Sequence, residues 1–569
     1  MKNKKTATIN GIHLFSWVWV LGLGCLGIWQ FHNAEFYSGF DLVPGGRGDP
    51  RLVVSLLEYL YRAWQGIGSF LSPFFYYPSA GTLGYSDAYL THAFLYGWFR
   101  GAGLDIFSAY QLCVLLLNLL NYVCCFLLLR KGFGFGAVVS AFGAFLFAFN
   151  APKFNQIGHT QLQCLFWIPL AVWACVAWIR ESRFLSQGRA FWLLAAAGIC
   201  LNLQLLTAFY PAWFFLFWSF LFLTLSLLFK STRTFWRGLL QKFWRPLLGG
   251  AALFAVGLIP FLRLYLPVLR ELGGKTYGEA EGMIPTPWSF LWMGPRHSWW
   301  GWLWEVPGIQ AFPVEGEERL GLGIAILAVW FFLILIAVGV LRDWDGKKKT
   351  AISKASFDLA GKIPFQLAVL ALFTTTLFCL LGITYPGGFS PWRFVYEWIP
   401  GAQSIRAVSR YVLFLALPLA ILFSFAAQIV MEKVKMEKKR GVRWIALGLL
   451  GLAAGTAILE QVGFPPFPAF SKSRELERLE YLSRKLPAQC QAFYVRVEPT
   501  LPYTATDIQL DAMILSAVRG VPTLNGYSGH SPPNWGLYKV RSPLYPNYVQ
   551  DWINLHELKL AVCGLWIDR

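Results

Sequence analysis

Charged side chains are scarce in this sequence, and their scarcity excludes an ordinary soluble fold. Only 14% of the 569 residues are Asp, Glu, Lys or Arg, whereas 56% are hydrophobic. Many uncharged stretches reach about 20 residues, the length that an α-helix needs to cross the hydrocarbon core of a bilayer. The composition therefore predicts a membrane protein with many helical spans.

Acidic residues are fewer than basic ones, 30 against 49, so the formal net charge is +19. Such an excess can indicate a protein that binds nucleic acid. Here the Lys and Arg residues are distributed over many short connections between apolar segments. Membrane topology explains this distribution better, and no nucleic-acid partner is expected.

Metal-binding and nucleotide-binding motifs are also missing. The ten cysteines form no CxxC motif and no Cys/His group with metal-ligand spacing. Without a Walker loop or a dinucleotide fingerprint, neither nucleotide hydrolysis nor direct redox chemistry is indicated. Cys490 and Cys563 are the two cysteines of the polar C-terminal region, and both lie in predicted strands. They either pair in an oxidising compartment, if those strands are neighbours, or remain separate thiols.

Apolar segments with the length of membrane spans are abundant. Eleven of them lie near 12–31, 108–129, 135–150, 162–179, 190–209, 213–229, 247–268, 320–341, 364–384, 411–430 and 443–459. With the N-terminus in the cytoplasm, the cytoplasmic connections hold 25 Lys and Arg in 79 positions, against 12 in 169 for the outer loops. This obeys the positive-inside rule and puts the C-terminus outside. The first segment is interpreted as a retained span, because no signal-peptide cleavage site accompanies it.

The first outer loop, residues 32–107, is predicted to contain two helices at the membrane surface. Residues 49–65 divide into one polar and one apolar stripe, so this helix is expected to lie in the interface with its polar face toward water. Asp49 is expected at the N-cap and Pro50 at the first helical position. A second interfacial helix is expected over 86–101, because a crossing there would move later basic loops to the outside.

The C-terminal region changes in character and predicts a small α/β domain outside the membrane. This domain, 461–569, follows a transmembrane domain over 1–460 and contains helical and alternating, strand-like segments. The predicted fold class is therefore mainly α. It is a polytopic helical membrane protein with about eleven spans, interfacial helices in the first outer loop and a C-terminal α/β domain.

Ionisable side chains are nearly absent from the predicted spans, where Arg263 is the exception. Because an ion-coupled carrier usually places charge at mid-membrane, chemistry is expected in the outer loops instead. Asp49 is the candidate base, and an N-cap role alone is an equal alternative. Asp41 competes with it for the role of essential acid. Glu58 is a second candidate, with a helix-surface pair to Arg62 as the alternative.

Several polar side chains in the outer loops are candidates for binding a substrate. His159 and Gln161 lie in the second outer loop, although a lone loop histidine is usually solvated or packed. Arg406 and Arg410 lie one turn apart at the head of the tenth span, either as interfacial anchors or as a clamp for a lipid phosphate. Arg51 shares the polar face of the first interfacial helix.

The order of these parts resembles the GT-C superfamily of glycosyltransferases that use polyprenyl-phosphate sugars. The likeness rests on short segments that are similar to motifs of a large bacterial group of GT-C-like proteins, namely GDPRLVVSLLEYLYRAWQG, FFYYPSAGTLGYSDAYL, GHTQLQ, SIRAVSRY and PTLNGYSGHSPPNW. In that superfamily the first outer loop carries an essential acid. In oligosaccharyltransferases the second loop carries paired acids, and here His159 and Gln161 stand in their place, which puts a metal requirement in doubt.

The resemblance implies an inverting transfer of a hexose or pentose to an envelope glycan, lipid or protein, at the outer face of a bacterial cytoplasmic (inner) membrane. Asp49 would be the base and Glu58 a supporting acid. Groups that bind the phosphate or orient the sugar would be Arg51, His159, Arg406, Arg410, Asp87 and Gln161. The lipid-linked sugar donor is the one ligand implied; a divalent cation stays open, and no metal ligand is assigned.

Two other classes of function fit the same sequence. A lipid or polysaccharide transporter would share the many spans, and the charge-poor membrane interior argues against ion coupling in it. A non-catalytic envelope assembly protein would fit if Asp49 only caps its helix.

Overall fold

The computed structural model describes residues 2–306, 317, 320–342, 365–498 and 500–567. Its helices are α1 Lys2–Tyr37, α2 Asp49–Trp64, α3 Leu90–Gly101, α4 Ile106–Leu127, α5 Ala137–Ala148, α6 Ala151–Asn155, α7 Trp167–Glu181, α8 Gln187–Leu205, α9 Phe209–Leu228, α10 Lys230–Gly257, α11 Ile259–Leu272, α12 Tyr277–Glu281, α13 Ile324–Arg342, α14 Phe365–Leu381, α15 Trp392–Trp398, α16 Tyr411–Met436, α17 Arg440–Val462, α18 Lys472–Lys485, α19 Ala505–Arg519 and α20 Tyr545–Leu555. Its strands are β1 Leu42–Pro44, β2 Ala469–Ser471, β3 Ala492–Val497 and β4 Val562–Ile567.

Each of the eleven predicted spans coincides with a helix or a helix pair, so the prediction of a polytopic helical membrane protein is confirmed. Within the described residues, seven helices are long and apolar enough to cross a membrane. The predicted span 247–268 is broken, because α10 and α11 meet at 48°. Pro260 lies in the first turn of α11, where the missing N–H of proline interrupts the helical hydrogen bonds. Two shorter apolar helices lie at Ile324–Gly339 and Gln366–Leu381.

Hydrogen bonds between segments hold several polar side chains of the spans, as expected for side chains that water does not reach. Asn121 donates to the carbonyl of Gln163 at 2.6 Å, and Asn202 to that of Phe254 at 3.1 Å. Lys153 of α6 is also fully buried, and its Nζ donates to Asn118 at 2.7 Å.

Helix α2 is amphipathic, but the prediction that its polar face meets water is wrong. Arg51, Ser55 and Glu58 are all buried, because α2 packs against α19 of the C-terminal region and also against α3. The apolar side chains of both helices belong to one hydrophobic core. The next helix, α3, begins at Leu90 and not at Ser86. Its N-cap residue is Tyr89, so neither Ser86 nor Asp87 caps it.

The C-terminal region contains the predicted helices and strands. β3 and β4 are parallel neighbours, with Phe493 opposite Cys563. Cys490 and Cys563 form a disulfide with their Cα atoms 5.8 Å apart, so the pairing alternative is confirmed. A second connection links this region to the first outer loop, where β2 pairs antiparallel with β1. The domain boundary at 460/461 stays a prediction, because the core between α2 and α19 is shared.

Candidate active site

Asp49 is the first residue of α2, and its side chain does not cap the helix. Gly48 is the N-cap residue, with no side-chain capping hydrogen bond. Pro50 fits the first turn because it has no N–H to leave unsatisfied. Asp49 Oδ2 lies 2.6 Å from His159 Nδ1, and both side chains are about 30% exposed, at 30% and 29%. The interpretation of Asp49 as a cap alone is therefore wrong, and its carboxylate is accessible to a ligand.

His159 connects Asp49 to a second carboxylate and through it to an arginine. His159 Nε2 lies 3.1 Å from Glu317 Oε1. Arg410 Nε donates to Glu317 Oε2 at 2.9 Å, and Arg410 Nη2 approaches Glu317 Oε1. The guanidinium of Arg410 stacks over the ring of Tyr210 with its carbon 5.4 Å from the ring centre. Acid, imidazole, acid and guanidinium thus alternate along one chain of contacts.

The pKa shifts of His159 and Glu317 both favour the charged form of the side chain. Burial opposes the charge of His159, but its hydrogen bonds with Asp49 and Glu317 outweigh burial and raise its pKa. Burial also opposes the charge of Glu317, but hydrogen bonds from His159 and Arg410 hold the pKa of that carboxyl well below its usual range. His159 is therefore favoured as an imidazolium, which can donate from both ring nitrogens.

Asp87 and Gln161 lie in the same cluster. Asp87 Oδ1 accepts a hydrogen bond from the backbone N–H of Phe209 at 3.0 Å, and Gln161 also bonds its carboxyl. The hydroxyl of Tyr89 donates to Gln161 Oε1 at 3.1 Å. Burial raises the pKa of Asp87, although the Phe209 hydrogen bond and the charges of Arg410 and His159 act in the opposite direction. These side chains are hydrogen-bond partners suited to a sugar hydroxyl.

Arg406 lies at the exposed rim of the cluster, and its predicted partner Arg410 lies inside it. The backbone N–H of Arg406 donates to the hydroxyl of Tyr210 at 2.9 Å, which fixes the turn between the two arginines. The charge of Arg406 also contributes to lowering the pKa of His530, after burial and Lys275. His530 belongs to the segment NGYSGHSPPNW of the C-terminal region, so this segment lies beside the rim.

Arg51 and Glu58 are not brought into the cluster, which corrects their predicted roles. Arg51 is 1% exposed and pairs with carboxylates of the C-terminal region. Glu58 is 2% exposed and accepts hydrogen bonds from Tyr96 and Arg100, each at 2.7 Å. Its expected pair with Arg62 is only a 3.9 Å contact. The residues that pair with Arg51 and Glu58 are distant in sequence. The polar stripe alone therefore could not reveal that both side chains are already paired.

Asp41, the competitor of Asp49, binds the start of α18 instead. Its carboxylate accepts hydrogen bonds from Ser471 Oγ at 2.9 Å and from the backbone N–H of Ser473 at 3.0 Å. These bonds, of which the Ser473 backbone bond is the largest cause, lower the pKa of Asp41. Asp41 therefore has a structural role at a helix start and is separate from the cluster around Asp49.

Three contributors to the cluster were missed by sequence reasoning. Glu317 lies in EGEER, an acidic run that is conspicuous in a chain with few acids. Tyr210 and Tyr89 gave no signal, because aromatic residues are common throughout and make up 17% of the chain. Only their positions beside Arg410 and Gln161 distinguish them.

The donor set of the cluster does not fit a divalent cation. His159 turns one ring nitrogen toward each of two carboxylates, so its nitrogens and those oxygens face each other and not a common centre. Arg410 covers the Glu317 carboxylate with a second cation. Among the described residues, no group of three or more His, Cys, Asp and Glu side chains is placed to hold a metal ion.

The structure of this chain is similar to those of solved glycosyltransferases. An oligosaccharyltransferase from Archaeoglobus fulgidus in the apo form is 14% identical, with a TM-score of 0.48 over 96% of this chain and 69% of that one. ArnT from Cupriavidus metallidurans in the apo state is 13% identical, with a TM-score of 0.43 over 96% and 91%. ArnT from the same organism bound to undecaprenyl phosphate is also 13% identical, with a TM-score of 0.40 over 90% and 85%.

Both neighbouring proteins are glycosyltransferases of the GT-C superfamily that the motifs resemble. No protein-family model matches the sequence, and neither does any curated protein sequence. With identities of 13–14% and TM-scores below 0.5, these neighbours assign no activity or substrate to this chain.

Proposed function

We propose that this protein is a GT-C-type membrane glycosyltransferase that moves a sugar from a polyprenyl-phosphate donor to a hydroxyl acceptor of the cell envelope. The observation that carries the proposal is the contact of 2.6 Å between Asp49 and His159. This contact places the carboxylate of Asp49, which is accessible and does not cap a helix, beside the imidazole of His159, whose cationic form an anion can approach. The outer face of the bacterial cytoplasmic membrane is the proposed site of the reaction, since the positive-inside rule puts these loops outside.

Asp49 is the proposed general base. In the reaction its carboxylate accepts the proton of the acceptor hydroxyl while that oxygen forms a bond to the anomeric carbon. The bond from the anomeric carbon to the phosphate oxygen breaks, and its electron pair leaves with the polyprenyl phosphate. A single displacement of this kind inverts the anomeric configuration. General-base catalysis typically contributes about 10²–10⁴-fold to a rate.

His159 and Arg410 are the proposed binding groups for the donor phosphate. Together they already hold one anion, because the carboxylate of Glu317 lies against His159 Nε2 and the Arg410 guanidinium. Charge-assisted hydrogen bonds from such cations stabilise the negative charge that develops on a departing phosphate. Arg406, at the rim, adds positive charge on the approach. Asp87 and Gln161 then orient the sugar by hydrogen bonds.

The proposal is tested by product analysis with the purified full-length protein. Polyprenyl-phosphate sugars, each carrying a radiolabel in the sugar, are supplied with extracts of cell-envelope glycans, lipids and proteins. We expect transfer of label to one acceptor class, together with release of unlabelled polyprenyl phosphate. If the donors are bound or moved across a vesicle membrane without cleavage, the transporter alternative replaces this one. If they are not bound at all, an assembly role replaces it.

A further inference from the structure

The turn that carries Asp49 is flanked by two arginines that bind the C-terminal region. Arg47 precedes Asp49 by two residues, and Arg51 follows it by two. Arg47 lies 2.8 Å from Glu475, and Arg51 lies 3.0 Å from the same side chain. Both arginines also reach Asp507, at 3.4 and 3.3 Å. Neither arginine is part of the cluster that contains His159.

A third carboxylate and a third arginine complete this group. Arg51 Nη2 contacts Asp511, which also pairs with Arg478 at 2.6 Å. We call Arg47, Arg51, Arg478, Glu475, Asp507 and Asp511 the interface ion-pair cluster. Its three positive and three negative charges balance, and Asp511 is only 2% exposed.

Geometry explains this cluster better than stability does. Burying ion pairs contributes little net stability, because the desolvation of the charges offsets their attraction. A guanidinium, however, is a rigid planar fork that fixes the orientation of the groups it joins. In Arg51 this fork spans α18 and α19, the two helices that carry the three carboxylates. The start of α2 is therefore held in one orientation relative to the C-terminal region.

Other contacts dock the C-terminal region independently of these charges. Leu52 and Leu56 of α2 share a hydrophobic core with Leu510 and Ile514 of α19. Strand β2 pairs with β1, and the N–H groups of Gly45 and Gly46 both donate to the carbonyl of Pro468. Neutralising the cluster therefore leaves the two regions together while it removes the charged contacts on either side of Asp49.

We propose that Glu475, Asp507 and Asp511 are positioning residues for Asp49, acting through Arg47 and Arg51. The C-terminal region is then a part of the active site that contributes no reacting group but sets where the base lies. This inference rests on the proposed function for its catalytic consequence. Its structural consequence, an ordered turn at residues 47–52, does not depend on that function.

The test compares wild-type protein with the double variant Glu475→Gln/Asp511→Asn, which keeps the size of both side chains but removes their negative charge and one acceptor oxygen from each. Asp507 stays as the remaining carboxylate beside Arg47 and Arg51. Amide hydrogen exchange is measured across 47–52 and in α4. We expect exchange at 47–52 to rise by about tenfold or more, with no change in α4. We expect kcat to fall roughly 10–100-fold, because small misplacements of a catalytic group cost that much. The KM for the polyprenyl-phosphate donor should stay within about twofold, since His159 and Arg410 are untouched.

Arg47→Gln is the second, milder variant. The side chain of Arg47 is 36% exposed, and after its removal the carboxylate of Glu475 still pairs with Arg51. It should change exchange and kcat in the same direction but less, and it serves if the double variant exchanges faster everywhere. Glu480→Gln is the matched control. It removes an exposed ion pair with Arg484 from the same helix, α18, and should change nothing.

Unchanged exchange at 47–52 in both variants would overturn the proposal, as would raised exchange with an unchanged kcat. The proposed function fails separately, if wild-type protein cleaves no polyprenyl-phosphate sugar. In that case the exchange measurement still decides whether the cluster orders the turn.

Discussion

At the scale of single residues, the cluster is an alternation of charges that assigns each side chain a different task. Asp49 is at the accessible end, and Arg410 is at the buried end with 11% of its side chain exposed. Burial opposes the charge of His159 between them, but its hydrogen bonds with two carboxylates outweigh burial and raise its pKa, which favours the cation. An imidazolium in this position adds positive charge beside the proposed phosphate site, while its two N–H groups are turned toward Asp49 and Glu317.

Asp49→Asn tests the base directly. The substitution keeps the size of the side chain and removes its capacity to accept a proton, and no capping bond is lost. Loss of a negative charge from the first turn costs helix α2 only about 0.3–1 kcal/mol. We expect the rate of sugar transfer to fall about 10²–10⁴-fold while the thermal unfolding profile is nearly unchanged. Asp41→Asn, which changes the acid that binds the start of α18, is the matched control and should retain activity. The reverse result would move the proposed base to Asp41.

Glu317→Gln tests whether His159 acts as a cation. Because hydrogen bonds to Asp49 and Glu317 raise the pKa of His159, its charged form persists to a higher pH than that of an ordinary histidine. Activity that needs this charge is present below the pKa and is lost as pH rises through it. Removing the Glu317 carboxylate lowers that pKa, so the alkaline limb of kcat/KM against pH should begin at a lower pH.

The control for this profile is Glu279→Gln. Glu279 is an exposed acid whose hydrogen bonds go to Thr276, so its loss should leave the alkaline limb in place. An unshifted limb in Glu317→Gln would mean that His159 does not supply the titrating charge.

At the scale of elements, α2 is shaped by the element that covers it. A helix with a polar stripe normally turns this stripe to water. Here α19 supplies apolar partners and carboxylates for Arg51, and α3 supplies Arg100 for Glu58. These two charges of the stripe are therefore buried with a partner. The C-terminal region therefore contacts the first outer loop through one face of α19. Strands β3 and β4 belong to a separate part of that region.

The disulfide between Cys490 and Cys563 should stabilise that pair of strands. It joins positions 73 residues apart, and cross-links of this kind typically contribute about 2–4 kcal/mol by restricting the unfolded chain. We expect a reductant to lower the unfolding temperature of the wild-type protein. A Cys490→Ser/Cys563→Ser variant should start from the lower temperature and show no response. Equal unfolding temperatures in oxidised and reduced wild-type protein would contradict this expectation.

At the scale of the whole molecule, the predicted orientation decides whether the cluster can meet an envelope acceptor. The cluster draws on the first and second outer loops, on Glu317 and on the head of α16. All of these lie on one side of the membrane in the predicted topology. The predicted cytoplasmic loop 342–363 lies outside the described residues apart from Arg342, so its side is a prediction from charge alone.

Reporter fusions test this topology. A periplasmic reporter such as alkaline phosphatase should be active when it is fused after residue 460. A cytoplasmic reporter should be active within 342–363, where Lys and Arg are frequent. A cytoplasmic C-terminus would contradict both the eleven spans and the outward-facing site, and a fusion after α1 would show whether the first span is the one in error.

The sequence by itself determined the membrane class, the helices at the eleven apolar segments and most of the C-terminal elements. These follow from local properties, namely segment length, hydrophobicity and period, which act within a few turns of chain. It also pointed to Asp49, His159, Gln161 and Arg410 as neighbours in the outer loops, through motifs that resemble one superfamily.

Only the tertiary structure decided what each polar side chain faces. Arg51 and Glu58 looked like site residues because their stripe is polar, and the carboxylates that bury Arg51 lie more than 400 positions away. Glu317 is the opposite case, a residue of the cluster that the sequence did not indicate. Nothing in its own segment points to Arg410, the arginine that it binds. Charge pairing acts across space and leaves no period in the sequence, whereas hydrophobic burial repeats with every turn of a helix.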